Sequence, residues 1–140
     1  MMIPAKFKHK KVSKGRVRLN PVRAGSRMIF GNYAIKSLDS ARLTSKELQS
    51  AKKELSKRLN KSGKIWARVF PNIPVTKKAA ETRMGKGKGN VEFWVFRVSP
   101  GRILFEVGGV DEKIAREALI KCGAKLSVKY IIVKSSDEDI

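Results

Sequence analysis

The chain has 140 residues, with 32 Lys and Arg against 12 Asp and Glu, a formal net charge of +20 that implies a polyanionic partner. Its length fits one domain with a real core, while one cysteine (Cys122) and one histidine (His9) exclude an internal disulfide and a Cys/His zinc cluster. No apolar run approaches the length of a membrane span, and MMIPAKFKHKKVSKGR lacks the apolar stretch of a secretory signal.

The excess charge is confined to the front of the chain. Residues 1–30 hold nine cations and no acid, whereas residues 91–140 hold eight of each and are neutral. The first 27 residues read as an extended basic arm. Their apolar residues follow neither a helix nor a strand period, and Pro4, Gly15, Pro21 and Gly25 interrupt them. In this arm Lys6, Lys8, His9, Lys10, Lys11, Lys14, Arg16, Arg18, Arg23 and Arg27 are candidate RNA contacts. A single globular domain is expected over 28–134, with an acidic tail at 135–140.

RMIFGNYAIKS places Met28, Phe30 and Tyr33 around Gly31 and predicts a strand bent at the glycine. Thr44 with Glu47 forms a capping box, flanked by Leu43 and Leu48 as a hydrophobic staple. Leu48, Ala51, Leu55 and Leu59 then mark the buried stripe of a helix that Gly63 would stop. Lys46, Lys53, Lys57 and Lys61 lie opposite that stripe, and the charge of the region favours phosphate contact over a merely solvated face. KIWARVFP is a predicted strand ended by Pro71, with Ile65, Ala67 and Val69 on one face, and Pro74 argues against its continuation. VEFWVFRV and ILFEV flank a Ser99–Arg102 turn and predict a β-hairpin over 91–107, its aromatics Phe93, Trp94, Phe96 and Phe105 packing in the core or sheet. Asp111 is a candidate N-cap for a second helix, with Ile114, Ala115, Ala118, Leu119 and Cys122 on one face and Gly123 at its end. Cys122 reads as a small buried hydrophobe. LSVKYIIV supplies the last strand. The predicted class is α+β, two helices packed on a mostly antiparallel sheet.

RMGKGKGN is the stretch that carries chemistry. Glycine at alternate positions lets a partner approach the backbone, and Arg83, Lys86 and Lys88 supply charge. It is not a Walker loop, because Lys88 is followed by Gly89, Asn90 and a strand. The G-x-G-x-x-G spacing also fails, and no helix follows to hold a pyrophosphate. With the lone histidine in the arm and the carboxylates in caps, helix faces and tail, no polarised catalytic pair emerges. Recognition of structured RNA by shape and backbone is the reading that remains. A free-standing RNA chaperone or architectural nucleic-acid-binding protein is the alternative.

RMGKGKGNVEFW, GKIWARVFP, RLTSKELQSAKKE and GRILFEVGGVDEKIAREAL together resemble the bacterial-type large-subunit ribosomal protein L-sixteen (uL-sixteen) family, in order from about Ile3 to Val133. The resemblance implies an α/β-hammerhead type of α+β fold, bound to large-subunit rRNA and neighbouring ribosomal proteins beside the A-site cleft and peptidyl transferase centre. It places Arg83, Met84, Gly85, Lys86, Gly87, Lys88 and Gly89 near the A-site tRNA, with the P-site tRNA a further option. Lys36, Arg42, Lys64, Arg68, Lys77 and Lys78 join the arm and helix lysines as rRNA contacts. No cofactor, membrane or small-molecule substrate is implied. The location would be the ribosome of a bacterial cytoplasm, or alternatively of a mitochondrial or plastid matrix. Ser13, Ala34, Ala67, Ala79 and Ser127 depart from residues common in the family.

Overall fold

The structure, a computed structural model, describes residues 26–59, 62–77 and 90–135. The first helix, α1 (Ser45–Leu59), begins where its capping signal predicts. The Glu47 amide donates to Thr44 Oγ1 at 3.2 Å, satisfying one of the first-turn N–H groups that a helix leaves open. The Glu47 carboxylate accepts from Ser127 Oγ at 3.0 Å, which ties the first turn to the segment entering the last strand. Leu48, Ala51, Leu55 and Leu59 are all buried, as their spacing requires.

The second helix, α2 (Glu112–Gly123), follows Asp111 in an extended N-cap conformation, although the Asp111 side chain makes no capping hydrogen bond. Ala115, Ala118, Leu119 and Cys122 are buried against α1 and the sheet, but Ile114 is 42% exposed and leaves the predicted face. The small Ala115 and Ala118 centre the buried stripe one residue further on, which rotates Ile114 to its margin. Gly123 does not stop the helix through a left-handed turn, since the C-cap is Ala124 in right-handed geometry. Its reason is steric. A Cβ at Gly123 would overlap the ring of Tyr130, whose hydroxyl donates to Ile120 O at 3.3 Å. Gly123→Ala is expected to cost about 1–3 kcal/mol by overpacking. Chemical denaturation of the single variant and of Gly123→Ala/Tyr130→Leu checks this, the double variant recovering most of the loss.

Among the described residues, seven strands form two antiparallel sheets. One has the order β3-β6-β1-β7, built from β1 (Tyr33–Ser37), β3 (Lys64–Ala67), β6 (Ile103–Gly108) and β7 (Tyr130–Lys134). The other has the order β2-β5-β4, built from β2 (Ala41–Thr44), β4 (Ile73–Lys77) and β5 (Asn90–Val98). The α+β class is therefore as the sequence predicts, with the helices packed on antiparallel sheets.

The predicted 91–107 hairpin is corrected. A turn is present, with the Arg102 amide on Ser99 O at 3.2 Å, but β5 and β6 diverge into different sheets. Every residue of β6 is buried, so it takes the interior position between β1 and β3. The turn is clamped to the end of β1 instead, the Gly101 amide donating to Ser37 O at 2.8 Å and the Ser37 amide to Arg102 O at 2.9 Å. β4 is a strand that the sequence did not predict. Pro74 fits it because β4 is an edge strand, where a missing N–H costs no ladder bond on the open side. β2 was also unpredicted, being hidden in the residues read as a helix staple.

The predicted strand through Met28 starts only at Tyr33. The backbone before it is occupied elsewhere: the Ile29, Phe30 and Gly31 amides all donate to Glu106 Oε1, at 3.0, 3.1 and 3.1 Å. Gly31 lies so close to β6 that a Cβ would stand 2.6 Å from Val107 O. Ala34 is fully buried between Glu106 and Val133 of the flanking strands, and Ala67 is exposed at the end of the edge strand β3. Phe105 is wholly buried and Phe96 packs on the core, as expected for sheet-packing aromatics.

Candidate nucleic-acid interface

The glycine-lysine stretch springs from a defined base. β4 and β5 pair antiparallel from Ile73↔Val95 to Lys77↔Asn90, with one irregularity between Val75 and Thr76. The two described strand ends, Lys77 and Asn90, therefore face each other across the ladder, and residues 78–89 join them in sequence. Lys78 and the seven residues Arg83 to Gly89 lie outside the described residues, as do Lys6, Lys8, His9, Lys10, Lys11, Lys14, Arg16, Arg18, Arg23 and Lys61. Lys77 is placed by its backbone alone, at the last paired position.

The described candidates fall into two groups. Lys46, Lys53 and Lys57 are exposed on α1, on the side away from the Leu48–Leu59 stripe. The same helix carries an exposed Arg58–Glu54 pair at 3.1 Å, and the Arg58 hydrogen bond holds the Glu54 carboxyl below its ordinary value. Lys64 is exposed at the start of edge strand β3, and Arg27 is exposed where the described chain begins. Lys36 is half-buried in β1 opposite Ile103 and Ile131.

Arg68 is different. Its guanidinium turns inward, donating to Glu106 Oε2 at 2.6 Å and to Arg27 O at 3.0 Å, and lying 5.7 Å from the Phe30 ring centroid. The pair is 12% exposed on the arginine side and fully buried on the glutamate side. Burial alone would raise the Glu106 pKa, but the Arg68 hydrogen bond and the three backbone amides outweigh it and hold the carboxyl below its ordinary value. Arg68 is thus a structural cation, and its charge is already matched. Glu106 was hidden in the apolar run ILFEV, where only its isolation among hydrophobes marks it. Arg102 behaves similarly, lying 5.4 Å from the Phe96 ring centroid and donating to Arg68 O at 3.1 Å. Its pKa is lowered by burial and by the nearby Arg68 charge.

Arg42 and Arg97 meet across the other sheet, directly paired between β2 and β5. Arg97 escaped the sequence reading because residues 91–140 are electrically neutral as a block. Cys122 is buried and its thiol is pushed up to about 12, chiefly by that burial, which makes it unreactive as a thiolate.

The comparisons with known proteins agree on one family. The family model described as Ribosomal protein L16p/L10e matches residues 4–133. The chain is 46% identical over 134 residues to the large ribosomal subunit protein uL16 of Pelagibacter ubique (strain HTCC1062), covering 96% of this chain and 98% of that one. It is 44% identical, over 96% of this chain and 97% of the relative, to the uL16 protein of Leptospira biflexa serovar Patoc.

Proposed function

The chain belongs to the ribosomal protein L16p/L10e family, and from that premise we propose that it is a structural constituent of the large ribosomal subunit. In this role it binds large-subunit rRNA and neighbouring ribosomal proteins, works without catalysis of its own, and helps to organise the A-site and peptidyl transferase region. Residues 1–27 act as an RNA-binding arm, residues 28–134 as the folded body that contains the 77–90 loop, and Arg83 to Gly89 of that loop reach toward the A-site tRNA, with the P-site tRNA within the same range. Its place is the ribosome, with the relatives' bacterial sources favouring a bacterial cytoplasm.

The observation that carries this reading is the lopsided charge: the whole excess of +20 lies in the first 90 residues, around an ordinary folded body. Opposed to it, Lys46, Lys53 and Lys57 of α1 and the exposed Lys64 and Arg27 give the body cationic surfaces for phosphate, while Arg68 is omitted because Glu106 already engages it. The protein is expected to stay with the large subunit through a high-salt wash at near-unit stoichiometry. A free-standing RNA chaperone would instead wash off and sediment at variable ratio. The isolated protein should bind large-subunit rRNA with log K falling by roughly 0.7–0.9 per phosphate neutralised for each unit of log salt. A flat salt titration would contradict the role.

A further inference from the structure

Ile29 and Phe30 are 69% and 54% exposed, yet their backbone is pinned, both amides donating to Oε1 of the buried Glu106. The Phe30 ring is fixed as well. It stacks on Trp66, with centroids 5.9 Å apart and planes 18° from parallel, and its centroid lies 5.7 Å from the Arg68 guanidinium. Trp66 pairs directly with Glu106 across the β3–β6 ladder, and the Arg68 amide extends that ladder onto Leu104 O at 2.9 Å. Residues two apart along a strand share a face, and Arg68 accordingly reaches the same Glu106. Trp66 and Arg68 therefore support the Phe30 ring from one side, and the other face of the ring accounts for its exposure. Trp66 is itself seated on Gly108, where a Cβ would stand 3.1 Å from the indole. Shielding of the Arg68–Glu106 pair explains the inner face of Phe30 but not the outer one.

We propose that the exposed face of Phe30 is a stacking platform for one unpaired base of large-subunit rRNA, a site separate from the α1 lysines and the 77–90 loop. The inference rests on the rRNA-binding role and deepens it. Stacking of a splayed-out base needs a flat aromatic surface, and one already ordered before binding costs least to use. Glu106, Trp66 and Arg68 supply that order. The charges beside the ring fit a nucleic-acid strand. Lys64 is exposed and two residues from Trp66 on the same face of β3, while the exposed Arg27 lies at the other end of that row, its carbonyl accepting from Arg68 at 3.0 Å. A base on Phe30 thus has a cation on each side for the phosphates that precede and follow it. The Glu106 charge does not oppose this, because Arg68 and three amides already engage it.

The test uses the full chain and in vitro transcribed large-subunit rRNA, with affinity measured across a salt series. Phe30→Leu keeps an apolar cover over Trp66 and Arg68 but removes the π-face. It is expected to weaken binding by roughly tenfold and to leave the salt slope unchanged, since no phosphate contact is lost. Phe30→Tyr, which keeps a ring, should restore the affinity. The thermal midpoint of free Phe30→Leu should stay near that of the unsubstituted chain, and a marked fall would make the ring a structural cover and overturn the proposal. Unchanged affinity in Phe30→Leu would overturn it too, as would a loss that Phe30→Tyr fails to restore. Normal affinity for the naked rRNA combined with poor retention of Phe30→Leu on the subunit would assign the ring to a neighbouring protein instead. A measurement on the unsubstituted complex needs no variant: ultraviolet cross-linking read by mass spectrometry should attach a nucleotide at Phe30, and attachment only elsewhere in the chain would count against the platform. If the unsubstituted chain itself fails to bind the rRNA in a salt-dependent way, the role proposed above fails; if it binds normally and only the Phe30 variants are silent, this inference alone fails.

Discussion

Replacing Arg68 by methionine is expected to destabilise the protein by about 3–5 kcal/mol, the range for removing one partner of a buried ion pair. The reason lies in what remains. Glu106 is fully buried, and without the guanidinium 2.6 Å away its charge is held, among the described residues, by the Ile29, Phe30 and Gly31 amides alone. For a domain of this size the thermal midpoint should fall by roughly 10 °C or more. Arg58→Met is the matched control: it breaks the exposed Arg58–Glu54 pair and should leave the thermal midpoint nearly unchanged. Arg68→Met/Glu106→Gln should be more stable than Arg68→Met alone, because glutamine keeps an oxygen for the three amides and removes the stranded charge. Simple additivity of the two losses would show that the pair does not act as a unit.

The pH dependence has a definite sign. In the intact protein the Glu106 pKa is lowered on folding, so its contribution is fully present above the ordinary carboxylate value and is lost as pH falls through the depressed one. In Arg68→Met the burial penalty is no longer opposed by the guanidinium, and the pKa moves up. The stability gap between the two proteins should therefore be widest at neutral pH and narrow under acid, where Glu106 is protonated in both. A gap that widens with acidification would contradict the assignment.

Neutralising Lys86 and Lys88 together, as Lys86→Gln/Lys88→Gln, is expected to reduce tRNA-dependent steps while leaving assembly of the subunit largely intact. Each charge-assisted contact at about 1.5–3 kcal/mol corresponds to about tenfold or more in tRNA affinity, so the pair together should be worth about a hundredfold or more. Neutralising Lys10, Lys11, Lys14 and Arg16 should do the reverse, impairing incorporation into the subunit first. The contrast follows from the proposed division of labour between the arm and the loop whose ends are paired at Lys77↔Asn90. Filter binding of tRNA to washed subunits and quantitation of the protein in those subunits separate the two effects. The opposite ranking would reject the division.

The parts of the fold written in local patterns could be read from the sequence. Helix α1 was legible because Thr44, Glu47 and the 48–51–55–59 stripe report one another within a few turns, and the strand character of VEFWVFRV and ILFEV was legible from alternation and apolar content. Strand partners were not. Nothing local in 91–107 says that β5 will pair with residues 41–44 and 73–77 while β6 pairs with 33–37 and 64–67. Pro74 pointed away from a strand because its edge position is decided by the sheet and not by its neighbours. For the candidate interface, residue type and charge marked the exposed lysines of α1 but could not separate Arg68 from them. Only the distant Glu106, 38 residues on, turns that arginine inward. Arg97 was overlooked because the neutral average over 91–140 conceals individual cations.

The proline in β4 bears on the life of the protein before it meets any nucleic acid. A newly made chain must remain monomeric in a crowded cell, and a free sheet margin invites another copy to add its own strand there. Pro74 removes an amide from that margin, so an incoming chain would find an interrupted template just where the basic loop begins.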